Sequence, residues 1–293
     1  MVYSILTDRI GNNLFQIAAG ASLAHRNNTD YMGCATDFEV PNGEQIEKYI
    51  KQYEHTILRK VKIINTLPTD IVTYNQPDFG YTPIEYVDNI CLRGYYQTEK
   101  YFDQDFIREL FEIDEQTKEY IQKKYGHILS KGVISLHVRR GDYINRPLRQ
   151  PVCCMPYFKN AISYFGKDKL YLIISDDIEW CKKNFKGNNF FFSEGESSIV
   201  DLYLQTMCNH NIISNSSFSW WGAWLNNNPE KIVIAPKNWF GKQMKDWNLQ
   251  DLIPSEWERL PNPKDLGLKL KILRYSIDDL YKRAIKRLQH IFN

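Results

Sequence analysis

Two short stretches of this 293-residue chain concentrate residue types that handle phosphate. In the first, the apolar run Val133-Ile134-Ser135-Leu136-His137-Val138 stops at Arg139-Arg140-Gly141-Asp142-Tyr143. The pattern predicts a buried strand that delivers its charges at its C-terminal end, where ligands of open α/β sheets sit. Arginine presents a planar fork that suits phosphate oxygens, so the expected partner is a diphosphate. A local ion pair among Arg139, Arg140 and Asp142 would account for the same residues without any ligand.

The second stretch is Ser214-Asn215-Ser216-Ser217, which leads into Phe218-Ser219-Trp220-Trp221-Gly222-Ala223-Trp224-Leu225. Small hydroxyl residues at a helix start let backbone N–H groups and serine side chains converge on an anion. Ordinary capping of a tryptophan-rich core helix is the alternative. Asp201, early in the preceding helical pattern, is a suitable acceptor for the paired N–H donors of guanine, and equally a helix N-terminal charge. Ser175-Asp176-Asp177 offers either a metal site or a helix cap, and capping is preferred because no third ligand presents itself.

The elements that must position these groups alternate in the second half. Strands are expected at residues 133–139, 170–174, 190–192, 211–213 and 231–235, with helices near 156–165, 177–184, 197–208 and 217–226. That alternation implies βαβ units on a parallel sheet. In the first half, residues 2–6 read as a strand. The loop Thr7-Asp8-Arg9-Ile10-Gly11-Asn12-Asn13 and a helix over 14–24 follow, and place Gly11 and Asn12 where a phosphate or ribose could lie. Residues 31–92 are less legible: a helix is expected over 44–60, and strands at 61–64 and 71–74. A strand and aromatic loop lie near 92–102, helices span 103–111 and 115–125, and 126–132 is the candidate linker.

Composition bounds the class. Hydrophobic residues at 43% and charged residues at 25% describe a globular protein, and a net charge of +2 gives no reason to expect nucleic acid. Aromatic content of 14% suits a core and also the faces of sugars. The six cysteines show no metal-site spacing and read as reduced thiols. Charges at Asp8-Arg9 interrupt the N-terminal apolar run, and no run is long enough to span a bilayer, so a cytoplasmic location is expected, peripheral on the membrane's inner face if attached at all. Residues 266–292 form a basic amphipathic run that could pack on the first domain or lie on an anionic membrane.

Taken together, four motifs resemble the bacterial α-1,2-fucosyltransferases of glycosyltransferase family 11. They are Gly11-Asn12-Asn13-Leu14-Phe15-Gln16, Gly94-Tyr95-Tyr96-Gln97, His137-Val138-Arg139-Arg140-Gly141-Asp142-Tyr143 and the Ser214 to Leu225 segment, in the family's order. The resemblance implies an α/β, GT-B-like fold of two Rossmann-type domains facing a central cleft, with a C-terminal amphipathic helix. The expected divisions are an acceptor-side domain at 1–128, a GDP-sugar domain at 129–260 and the basic helix at 261–293. It further implies GDP-L-fucose as donor, a galactose-containing oligosaccharide or lipid-linked glycan as acceptor, inversion at the anomeric carbon, and neither metal nor cofactor. His137, Arg139 and Asp142 carry over as catalytic residues; Gly11, Asn12, Arg139, Arg140, Asp201, Ser216, Ser217 and Phe218 carry over to the nucleotide. The family loop reads Gly-Asn-Gln after further glycine, whereas this chain has Arg9-Ile10-Gly11-Asn12-Asn13.

On that footing Arg139 stabilises charge building on the leaving β-phosphate as the sugar becomes oxocarbenium-like. Asp142, the nearest carboxylate in sequence, either takes the acceptor's proton or orients the arginines. Another GDP-sugar transferase would keep the nucleotide site, and a non-catalytic carbohydrate-binding protein would explain the aromatics but not the arginines.

Overall fold

A computed structural model describes residues 1–277 apart from 37 and 42. The strand-helix alternation produces two sheets. The first contains Val2–Ile5 (β1), Tyr31–Cys34 (β2), Ile63–Ile64 (β3), Val72–Asn75 (β4) and Ile90–Arg93 (β5), in the order β3-β2-β1-β5-β4. The second contains Ile134–Val138 (β6), Tyr171–Ser175 (β7), Phe190–Phe192 (β8), His210–Ile212 (β9), Val233–Pro236 (β10) and Glu258–Leu260 (β11), in the order β11-β10-β9-β6-β7-β8. Every pairing between these strands is parallel.

Strand order determines where a ligand can enter. In the second sheet β6 to β8 wind one way and β9 to β11 the other, so the loops leaving β6 and β9 part and open a crevice. In the first sheet β1 adjoins β5, its chain-remote neighbour, and the loops leaving those two strands form the matching mouth. The connecting helices are Ile10–Arg26 (α1), Ile46–Lys51 (α2), Gln104–Leu110 (α3), Glu115–Leu129 (α4), Met155–Phe165 (α5), Ile178–Asn184 (α6), Ser198–Thr206 (α7) and Ser217–Trp224 (α8).

Three expectations need correction. α1 begins at Ile10 rather than at residue 14, because first-turn N–H groups lack helical partners anyway and Gly11 and Asn12 cost little there. The helix expected over 44–60 is only α2, followed by turns. The proposed linker at 126–132 is helical through Leu129, since Gly126 stays within α4, so the expected division at residue 128 falls in that helix's last turn.

α8 joins the halves. Phe15 of α1 lies 4.6 and 4.9 Å from the rings of Trp220 and Trp221, and Phe102 stacks on Trp221 at 5.2 Å. Trp221 Nε1 donates to Gly11 O at 3.1 Å, and Trp224 Nε1 to Glu99 Oε2 at 2.9 Å. A helix apolar on all sides must be surrounded, and α8 is, by elements from both sheets within one continuous core. Truncating such a tryptophan to alanine costs about 3–5 kcal/mol.

Residues 266–277 are helical and 261–265 are not; residues 278–293 of the expected C-terminal helix lie outside the described residues. Among the described residues no helix is long and apolar enough to cross a membrane.

Candidate active site

The two loop crevices face each other across one cleft of about 410 Å³. The loop after β1 contributes Asp8 and Arg9, the first turn of α1 contributes Gly11 and Asn12, and the loop after β5 contributes Tyr95 and Gln97. From the second sheet come His137, Arg139, Asp142 and Tyr143 around β6, Asp176 after β7, Asp201 on α7, and Ser216, Ser217 and Phe218 at the start of α8. Of the sequence-predicted residues, all but Arg140 line this space.

Arg139 is the central cation. Its guanidinium pairs with Asp142 and with Asp176 at 2.9 Å, and lies 5.2 Å above the Tyr143 ring. Burial opposes its charge, but Asp176 foremost, with Tyr143 and Asp142, holds its pKa above the ordinary arginine value. Both oxygens of Asp142 are turned to guanidinium groups: Oδ1 to Arg139 and, at 3.9 Å, Arg9, and Oδ2 to Arg146 at 3.6 Å. The local ion pair read from sequence is therefore present, as scaffolding that aims several cations at one place.

Arg140 points elsewhere. Its backbone N–H donates to Asp176 Oδ1 at 2.8 Å, but its Nε donates to Asp177 Oδ2 at 3.0 Å and its guanidinium lies 4.0 Å over the Trp180 ring. Consecutive side chains at a strand end leave on opposite faces, so Arg139 and Arg140 cannot both enter the cleft. Asp177 also caps α6, accepting from Trp180 N at 3.2 Å. Asp176 and Asp177 are thus committed to arginines and a helix cap, and among the described residues no three His, Cys, Asp or Glu side chains gather as metal ligands.

His137 is buried, with Nδ1 2.8 Å from Ser214 Oγ. Burial, then the Arg139 charge, lowers its pKa to about 3, so the ring is neutral at physiological pH. With Ser214 assigned as donor to Nδ1, the remaining ring proton sits on Nε2 and is available to an anion.

The start of α8 meets the start of α1. A Cβ on Gly11 would stand 2.6 Å from Phe218 N and 2.7 Å from Ser217 Oγ, so only glycine permits this approach. Ser216 occupies the N-cap without a side-chain cap bond, and the first-turn N–H groups of α8 open beside Arg139 and His137. Asn12 Oδ1 accepts from Gln97 Nε2 at 2.8 Å, which ties α1 to the loop after β5.

Asp201 lies in the first turn of α7, and Ser193 Oγ donates to its Oδ1 at 2.6 Å. Burial pushes its pKa up to about 7, against the lowering effect of the Ser193 bond. The carboxyl can therefore hold or release its proton near neutrality.

Sequence reading missed the cations Arg146 and Arg149 and the aromatic side of the cleft, formed by Phe79, Tyr95, Trp239, Phe240 and Trp247. Phe79 stacks on Trp247 at 4.5 Å and meets Phe240 edge-on at 5.6 Å. The aromatic excess was visible in composition, but residues over 160 positions apart could not be placed together without the fold. The arrangement as a whole has a cationic end, suited to phosphate oxygens, and an aromatic end, suited to a sugar face.

Residues 74–260 match the family model described as Glycosyl transferase family 11. The O-antigen biosynthesis glycosyltransferase WbnK of Escherichia coli is 28% identical over 294 residues, spanning 83% of this chain and 96% of the relative. An alpha-1,2-colitosyltransferase of Escherichia coli is 35% identical over 184 residues, spanning 57% of this chain and 61% of that protein. Among solved structures, NodZ alpha-1,6-fucosyltransferase co-crystallized with GDP superposes with a TM-score of 0.50 at 15% identity, covering 75% of this chain and 90% of that one. The expected α/β, GT-B-like architecture is the one observed.

Proposed function

The chain belongs to glycosyltransferase family 11, and from that premise we propose that it transfers L-fucose from GDP-L-fucose to O2 of a galactoside in a surface glycan, with inversion. The observation that carries the donor reading is the convergence of Arg139, His137 and the open first turn of α8 on one point of the cleft. A diphosphate there meets a fixed cation, a neutral imidazole N–H and backbone N–H groups. As the bond to the anomeric carbon breaks, charge grows on the β-phosphate, and these preorganised donors stabilise it without a divalent ion. Asp201, with Ser193 behind it, accepts from the guanine ring, and Gly11 and Asn12 approach the phosphates from the facing half. Asp142 acts as the positioning residue for the arginines rather than as the base.

A second donor is favoured by one finding: the relative at 35% identity is named a colitosyltransferase. A GDP-linked colitose would use the same phosphate and guanine contacts, so only contacts to the sugar would differ.

A lipid-linked acceptor fits the helical residues 266–277. Leu266, Leu270, Leu273 and Ile277 are 58–72% exposed and fall at helical spacing on one face. Lys269 and Arg274 flank that stripe, as expected for a helix resting on anionic lipid, while Leu268 is buried against the body.

Calorimetric titration with GDP, UDP and ADP in EDTA tests the donor reading, followed by transfer assays with the fucosyl and colitosyl donors. GDP-selective binding that survives chelation is expected. Equal affinity for the three nucleotides, or a need for metal, would overturn it.

A further inference from the structure

Asp8 stands in left-handed backbone at φ 63°, which residues other than glycine seldom adopt. Such a conformation persists where neighbours over-determine it, and it collects at functional sites. Here the neighbours are explicit. Thr7 N donates to Gln16 Oε1 at 3.0 Å, Thr7 O accepts from Asn13 Nδ2 at 2.8 Å, and Gln16 Nε2 donates to Thr7 Oγ1 at 2.7 Å and to Gly94 O at 3.1 Å. One glutamine amide thus fixes the residue before Asp8 and the residue before Tyr95.

Both Asp8 and Tyr95 line the cleft, and their neighbours lead towards its two ends. On one side the next residue, Arg9, reaches Asp142 at 3.9 Å, and Asp142 holds Arg139. On the other side Tyr95 lies 6.1 Å from the Trp247 ring, on which Phe79 stacks. The Asp8 charge is felt at the Tyr95 hydroxyl, whose pKa is raised by burial first and by Asp8 next. A sugar lying on the aromatic wall would present its hydroxyl to the phosphate end between them. Asp142 is the less suited carboxylate there, because Arg139 holds its Oδ1 and Arg146 stands 3.6 Å from its Oδ2.

We propose that Asp8 is the catalytic base that receives the acceptor's proton, an assignment that rests on the glycosyl-transfer reading above. The acceptor oxygen forms its bond to the anomeric carbon while its proton passes to the Asp8 carboxylate. The anomeric C–O bond to the β-phosphate breaks, its electron pair leaves with GDP, and Asp8 later returns the proton to solvent.

The test compares wild type, Asp8→Asn and Asp8→Gly in three measurements: transfer from GDP-fucose to a galactoside, GDP affinity, and thermal unfolding. Both variants are expected to lose about 10²–10⁴ in kcat for transfer while GDP affinity stays within about threefold. Asp8→Gly should unfold no earlier than wild type, since glycine accepts φ 63° freely, so its lost activity would report the carboxylate and not the backbone. Transfer within about tenfold of wild type in either variant would overturn the assignment. So would a loss of GDP affinity that accounts for the loss of rate. A wild-type enzyme that binds no GDP and transfers neither fucose nor colitose would instead defeat the underlying functional reading, and the assignment with it.

Discussion

If Asp201 reads guanine, GDP binding must be coupled to a proton. The ligand-free carboxyl has its pKa pushed up to about 7 by burial. Only about one-tenth of it is ionised at pH 6 and about nine-tenths at pH 8. Guanine's N–H donors need the ionised form, so this group alone should strengthen GDP binding about tenfold between those values. The β-phosphate titrates in the same window, so the informative quantity is the difference from Asp201→Asn, which retains only the phosphate's contribution. Isothermal titration at pH 7 in two buffers of different ionisation enthalpy should show wild type releasing about half a proton more than the variant. Without ligand the sign runs the other way. A folded pKa above the unfolded one stabilises the protein fully below about pH 4, and that stability is lost as pH rises toward 7. Equal proton release and equal pH slopes in both proteins would refute the guanine contact.

Gly11→Ala forces a Cβ to within 2.6 Å of Phe218 N, so the starts of α1 and α8 must separate; a loss of about 1–3 kcal/mol in denaturant unfolding is expected, with weakened GDP binding by calorimetry. His137 is held neutral, with a pKa lowered to about 3, so its contribution to stability is present above about pH 6.5 and lost as pH falls toward 3. Chemical denaturation at pH 7 and pH 5 should show that decline in wild type and a smaller one in His137→Gln. For the exposed stripe on residues 266–277, co-sedimentation with phosphatidylglycerol vesicles should fall at least about tenfold in Leu270→Glu/Leu273→Glu, while transfer to a soluble acceptor is unchanged.

The residues that line the cleft were more legible in the sequence than the frame that holds them. Strand ends at Arg139 and Ser214 were legible because apolar runs broke abruptly into polar residues, and both emerged on one side of the second sheet. The first half resisted because its edge strands are short or exposed: β3 has two residues and β4 shows no buried position. Arg140 could not be told from Arg139 by type, and the alternation of a strand end separated them. Asp8 looked like a turn residue until its backbone and its neighbours Thr7 and Gln16 were seen. The tryptophans of α8 read as a core helix behind the serines; they are core, and through Trp221 they hold Gly11 at the site.

In the proposed transfer reaction, everything turns on Arg139 stabilising the departing diphosphate. The most direct measurement is single-turnover transfer from GDP-fucose, with GDP affinity and thermal unfolding, for wild type and Arg139→Ala. A fall of at least about 10²–10³ in rate is expected, with the cooperative unfolding transition retained. Transfer within about tenfold of wild type would contradict it.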